Sequence, residues 1–446
     1  MTKRSLQLVA GGLVGGGALF LAGAFGATRS DRPASVPPAA VASAIAGGEP
    51  RLPAGASLDD LIASLQTRLA AVPTDHTGWA TLGLAYVQQA RITVDPTFYP
   101  KAEGALARSL AIDASDNFLA LAGQSALASA RHAFADAREL AIRGLEINPY
   151  SPLLYGALGD AELQLGNYDA AFTAIQHMVD LSPDTASLSR ASYTWELRGE
   201  IARATTLMER ALADAPTGAD RAFALVQLGG LAFDQGDAAG ALERYNEALD
   251  VHPADVAALA GKARAEAALG QVETALDHYA ELVARAPEPG YLLEYGRLLE
   301  SLGRDDEAAA QYAVFEATSR LFAANGVEPD AAATLFDADR GNIDRALAEA
   351  DAGLATRPFV TMHDARAWAL HGAGRDHEAQ AAIDQALALG TRNAGFHFHA
   401  GMIALALGDT ATARAQLTEA LAINPFFDPL SAPIARTALA SIEATP

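Results

Sequence analysis

The chain has 446 residues, carries a formal charge of -22 and contains no cysteine. That charge argues against a nucleic-acid partner, because phosphate binding needs a basic face to displace counterions. Without cysteine there are no disulfides, thiolate zinc sites, Fe–S clusters or thiol nucleophiles. Alanine supplies 104 residues and aromatics only 7%, which favours helix throughout, since alanine loses no side-chain entropy there and lets helices approach closely.

Lys3 and Arg4 precede a run, residues 5–27, that holds no charge. It is long enough to cross a hydrocarbon core of ~30 Å as a helix, although seven glycines dilute its nine strongly apolar residues. The expectation is a transmembrane anchor with a short cytoplasmic end at 1–4. The alternative is a signal segment cleaved near Ala22-Gly23-Ala24. In either case the rest of the chain lies outside the cytoplasm, because the positive residues stay inside. Gly11 with Gly15, and Gly12 with Gly16, offer a small-residue face fit for self-association. Residues 28–56 are rich in Pro, Ala, Ser and Gly and read as a flexible linker of roughly 30 Å reach. Beyond it the chain carries 27 basic against 52 acidic residues, so the acidic surface belongs to the folded part.

From residue 57 onward one pattern repeats: helix, short turn, helix, proline. Inter-helix glycines at 166, 199, 236, 270, 303, 341, 374 and 408 set the register. Five positions after each comes an alanine: Ala171, Ala204, Ala241, Ala275, Ala308, Ala346, Ala379 and Ala413. Chance would produce that run on the order of one time in 100,000, so the repeat is real. The alanine marks where the second helix crosses the first, and a small side chain lets the backbones meet there.

These hairpins resemble the tetratricopeptide repeat, or TPR, whose pattern of about 34 residues is W-x2-L-G-x2-Y, then A, then P. Trp79, Leu82, Gly83 and Tyr86 supply its head in one repeat, and Tyr155, Leu158, Gly159, Tyr168, Ala171 and Pro183 supply most of it in another. The expected architecture is an all-α right-handed superhelix, an α-solenoid of ten hairpins over 76–425. The hairpins start near His76, Phe118, Pro152, Thr185, Ala222, Val256, Pro289, Val327, Val360 and Ala394. A leading cap helix lies within 57–75 and a C-terminal cap and tail within 426–446. The first hairpin has an insertion at 91–100 that reads as a recognition loop around Asp95-Pro96 and Tyr99-Pro100. The second lacks the signature Trp, Gly and Tyr, and the eighth has Asp330 and Ala333 where large apolar residues are usual.

Enzymatic motifs are missing. No G-x-x-x-x-G-K-[ST] occurs, His377-Glu378 is followed by Ala381 where a zinc-protease motif needs histidine, and Ser125 makes no nucleophile elbow. Asp337-x-Asp339-x-Gly341 suggests a calcium loop but lacks the later glutamate, with Ala348 in its place. His397 and His399 stand two residues apart, about 200° around a helix axis, and so do not share one ion. His371 with His399 across repeats is the remaining metal pairing.

What the TPR resemblance implies is a non-enzymatic scaffold or adaptor binding a protein or peptide in its concave groove, with no cofactor. Carried onto this chain, the groove positions are Arg190, Tyr193, Arg264, Arg297, Trp368, His371, Phe398, His399 and Met402. Trp368, Phe398 and Met402 serve as apolar anchors and the arginines as carboxylate contacts. His363 and His397 fall at positions that pack against the second helix. The stretch 65–87 is also similar to the TPR segment of membrane-anchored factors that handle apocytochromes, which keeps open a chaperone-like role in c-type cytochrome assembly. A metal-binding or unrecognised enzymatic protein and a secreted structural array are the other readings.

Overall fold

The computed structural model describes residues 58–93, 95–327 and 330–444. The expected anchor at 5–27, its glycine pairs and the linker at 28–56 lie outside the described residues, and among the described residues no helix is long and apolar enough to cross a membrane.

The described residues form 22 α-helices and one short 3-10 turn, with no strand. A leading helix, α1 (Leu58–Ala71), precedes the first hairpin, α2 (His76–Thr93) with α3 (Tyr99–Ile112). Hairpins follow as α4 (Phe118–Ala130) with α5 (Phe134–Ile147), α6 (Pro152–Gln164) with α7 (Tyr168–Leu181), and α8 (Thr185–Glu196) with α9 (Ile201–Ala213). Next come α10 (Gly218–Asp234) with α11 (Ala238–Val251), α12 (Val256–Ala268) with α13 (Val272–Arg285), and α14 (Pro289–Ser301) with the long α15 (Asp305–Ala324). The array ends with α16 (Ala331–Asp339) and α17 (Ile343–Thr356), α18 (Val360–Gly372) and α19 (Asp376–Leu387), α20 (Ala394–Ala406) and α21 (Thr410–Ile423), and a trailing α22 (Ser431–Glu443).

Local chemistry explains the starts. Asn117, Ser151, Asp184, Thr217, Asp255, Asp330 and Asn393 each accept a backbone N–H from the first turn of the helix they precede, filling donors that no carbonyl reaches. The eight register alanines are all buried, none more than 2% exposed. The same closeness appears on the first helices. A Cβ at Gly159 would stand 2.6 Å from the Ile175 side chain, so only glycine lets α6 and α7 meet there.

The structure differs from the sequence expectation at three places. Most of the 91–100 insertion is helical: α2 runs on to Thr93, Asp95 caps the 3-10 turn Pro96–Phe98, and Tyr99 opens α3 as a buried residue. Phe98 packs on Tyr86, which supplies the apolar contact that a free loop lacks. In the second hairpin the left-handed corner that glycine fills elsewhere is taken by His132, at φ 62°, stacked on Phe134. In the eighth, the first helix begins at Ala331 instead of near Val327, because Asp330 is its cap.

Successive turns of the superhelix touch. Tyr168 Oη accepts from the Val360 amide at 3.1 Å, Thr391 Oγ1 donates to the Leu197 carbonyl at 2.6 Å, and Asn424 Nδ2 donates to the Phe233 carbonyl at 2.9 Å. The partners in these bonds lie 192, 194 and 191 residues apart, so one turn of the solenoid takes between five and six hairpins. Leu163, Ile175 and Leu197 share a core with Phe359, Val360 and Ile403. The stacked turns close the interior into a lumen lined by the first helices.

Candidate binding site in the superhelix lumen

A cavity of about 350 Å³ lies in this lumen. Its wall comes from the ends of α8 and α10, the middle of α14, the length of α16, the start of α20 and the segment that leads from α21 into α22. Leu231, Leu293, Phe336, Phe398 and Phe427 give it apolar surface, and Glu196, Asp234, Arg297, Asp339, His399 and Asp428 give it charge.

The nine groove positions expected from sequence separate into three groups. Arg297, Phe398 and His399 line the cavity. Trp368, His371 and Met402 stand behind its wall: Trp368 stacks on His399 with ring centroids 4.3 Å apart and touches His371 and Phe398, and Met402 packs in the same cluster as Phe398. Arg190, Tyr193 and Arg264 lie elsewhere on first helices. Phe398 is only 2% exposed, held by Trp368, His399 and Phe427, so it shapes the wall as a core residue.

The arginines are committed to carboxylates within the protein. Arg190 is buried and forks onto Asp160 at 2.9–3.1 Å. Arg264 Nη2 meets Glu294 at 2.6 Å. Arg297 grips both Asp428 oxygens at 2.6 and 2.9 Å and reaches Asp339 at 2.7 Å. Burial works against the Arg297 charge, but these carboxylates outweigh it and hold the guanidinium above its ordinary range. Asp428 lies lower than an ordinary carboxyl, since Arg297 and the Ser431 amide outweigh its burial. Asp339 also accepts from Trp368 Nε1 at 2.7 Å, which ties Trp368 to the ion network.

Three histidines of the 363–399 region have ring partners within the protein. His371 Nδ1 lies 2.6 Å from Asp376, His399 Nδ1 lies 2.7 Å from Asp364, and His397 Nδ1 lies 2.6 Å from Gln416 on the second helix of its hairpin. His371 and His399 pack on one indole, Trp368. No three His, Asp or Glu side chains among the described residues are grouped to hold a metal ion. The Asp337 carboxylate is taken by Arg345 and Asn342, and Ser125 donates to the Ala137 carbonyl.

Two lumen residues escaped the sequence reading. Glu196 and Asp234 sit at the C-terminal ends of α8 and α10 and line the cavity, and neither carboxylate is in a hydrogen bond or ion pair. Burial, and secondarily the Asp234 charge, raises the Glu196 carboxyl to about 8. Asp234 is solvent-exposed, and its carboxyl is also raised, first by desolvation from the neighbouring protein and with Glu294 adding, against the nearby Arg264. Glu196 stands three residues before its corner glycine Gly199, as His371 does before Gly374, so the register held a signal that the sequence reading used in one repeat only; Asp234, two residues before Gly236, lies one place off that position.

A tetratricopeptide-repeat family model matches residues 116–186, 226–289, 268–320 and 365–426, together just over half of the chain. The chain belongs to the tetratricopeptide repeat family. Proteins built from these TPR repeats are generally non-enzymatic scaffolds that bind other proteins. Solved structures similar to this TPR chain include a tetratricopeptide repeat protein from Parabacteroides merdae, 21% identical, covering 58% of this chain and 98% of that one with a TM-score of 0.33. Human IFIT1, solved as a dimer with m7Gppp-AAAA, is 13% identical, with coverage of 82% and 86% and a TM-score of 0.46. Pseudomonas aeruginosa pilF is 15% identical, with coverage of 48% and 92% and a TM-score of 0.37. No curated protein sequence matches the chain.

Proposed function

We propose that this TPR protein is a scaffold or adaptor that takes a segment of a partner protein into the lumen of its superhelix, and that residues 5–27 hold the array outside the cytoplasmic membrane. The observation that carries the reading is the cavity itself. First helices from separate hairpins bring Arg297, Phe398 and His399 to one concavity, as expected of an array whose repeats do not bury a ligand singly. Its wall mixes apolar and charged groups, a composition suited to a peptide side chain with its neighbouring backbone.

Photo-crosslinking in native membranes tests it. A crosslinking residue in place of Arg392, which lines the cavity, is expected to trap a discrete protein. The same residue in place of Arg414, exposed on the outer helix α21, is expected not to. Equal labelling from both positions, or none from Arg392, removes the lumen as the binding site.

A further inference from the structure

Four carboxylates stand on the first helices of the third, fourth, fifth and seventh hairpins, Asp160, Glu196, Asp234 and Glu294, and of these Glu196 and Asp234 line the cavity. Electrostatic influence links them, since Tyr193 feels both Asp160 and Glu196, Glu196 feels Asp234, and Asp234 feels Glu294. The outer two are neutralised within the protein, Asp160 by Arg190 and Glu294 by Arg264. Neither of the inner two is in an ion pair, although Arg264 lies near enough to act on Asp234, and both line the cavity. Arg297, in the same wall, is already spent on Asp339 and Asp428. Arg392, at the rim, is turned to Gln235 and Glu419.

A cavity lined by a half-buried and an exposed acid, Glu196 and Asp234, neither of them in an ion pair, beside aromatic and aliphatic surface, is complementary to a cation on an apolar stem. We propose that the lumen cavity receives a lysine or arginine side chain from an extended segment of the partner, with its charged end between Glu196 and Asp234 and its stem along Leu231 and Phe398. The inference rests on the scaffold reading above and adds the chemistry of the ligand. The other ionisable groups facing the cavity are Arg297, Asp339, Arg392, His399 and Asp428. None of the carboxylates among these is without a hydrogen-bonded donor, so the incoming cation has only Glu196 and Asp234 to pair with. Because Glu196 holds a proton in the empty lumen near neutral pH, entry of a cation expels it, and affinity rises with pH.

The test is calorimetry of the full chain with three synthetic peptides, identical except for a central arginine, norleucine or glutamate, and with spermidine. The arginine peptide is expected to bind at least tenfold tighter than the norleucine peptide and to release protons, read as a heat that depends on the buffer. E196Q/D234N is expected to lose at least tenfold for the arginine peptide. D305N/D306N, which changes two exposed acids at the start of α15, is expected to change nothing. Thermal melts of both variants confirm that they fold. Equal affinity for the arginine and norleucine peptides, no binding of any peptide, or an unchanged E196Q/D234N overturns the proposal. Spermidine binding that depends on Glu196 and Asp234 while the arginine peptide does not bind overturns it in favour of a free polyamine. A partner trapped at position 392 by the double variant as efficiently as by the native chain leaves the scaffold and refutes only the cationic ligand.

Discussion

Replacing Glu196 with glutamine should stabilise the protein at alkaline pH, even though it removes a charge from a strongly acidic surface. The reason is linkage. The Glu196 carboxyl is raised from 4.5 to about 8, first by burial and then by Asp234, so the folded state holds its proton more tightly than the unfolded chain does. The stability this contributes is complete below about pH 4.5 and is lost as pH rises through about 8. At about 1.4 kcal/mol per pH unit, the ceiling on that loss is about 5 kcal/mol, and solvent in the lumen reduces it to a few kcal/mol. Glutamine keeps the shape and does not ionise. Urea unfolding followed by far-ultraviolet circular dichroism, near pH 4 and near pH 8.5, measures the difference. The two proteins should agree to within about 0.5 kcal/mol near pH 4, where the glutamate is mostly neutral in the folded and the unfolded chain alike, and the variant should be more stable by a few kcal/mol near pH 8.5. A variant that tracks the native protein at both values, or is weaker at the higher one, refutes the assignment of Glu196 as a half-buried acid without an ion pair.

Two more predictions probe the array. Gly199 and Gly270 occupy equivalent corners, with φ of +72° and +78°, but a Cβ on Gly199 would collide with the Gly390 carbonyl while one on Gly270 would meet open space. Gly270→Ala should therefore cost only the left-handed backbone penalty, about 1–2 kcal/mol. Gly199→Ala should cost more and enlarge the radius of gyration in solution scattering, and equal losses with unchanged dimensions would count against stacked turns. Arg190→Ala strands the buried Asp160 carboxylate and should cost about 3–5 kcal/mol. Changing both residues, as D160N/R190M, should recover most of that in the same urea experiment, and a double variant no better than Arg190→Ala would show that the pair itself is worth the whole amount.

Much of the architecture is readable from local pattern. The glycines at 166 through 408 and the alanines five residues later mark the corners and crossings, because a left-handed corner favours glycine and a close crossing needs a small side chain at every repeat alike. His397 could be placed against its second helix for the same reason, and it meets Gln416 there. The site was partly legible. Arg297, Phe398 and His399 line the cavity as groove positions, while the equally well-placed Arg190 is consumed by Asp160. Whether a groove-facing arginine is available depends on what stands on the next helix, which the register does not specify. The second hairpin shows the opposite failure, since His132 takes the glycine conformation without the glycine signal.

The sequence by itself determined the repeating hairpin, its helix caps and the acid-rich character of the folded part, since each depends on residues within one repeat. Tertiary structure alone decided that the turns of the superhelix stack, with Leu197 meeting Thr391 and Phe233 meeting Asn424. That outcome depends on a small rotation per hairpin summed over more than five hairpins, and no short stretch of sequence encodes the sum. The same stacking brings residues of distant hairpins, such as Glu196, Asp234, Arg297 and Phe398, to one cavity, and leaves Glu196 and Asp234 there without an ion pair.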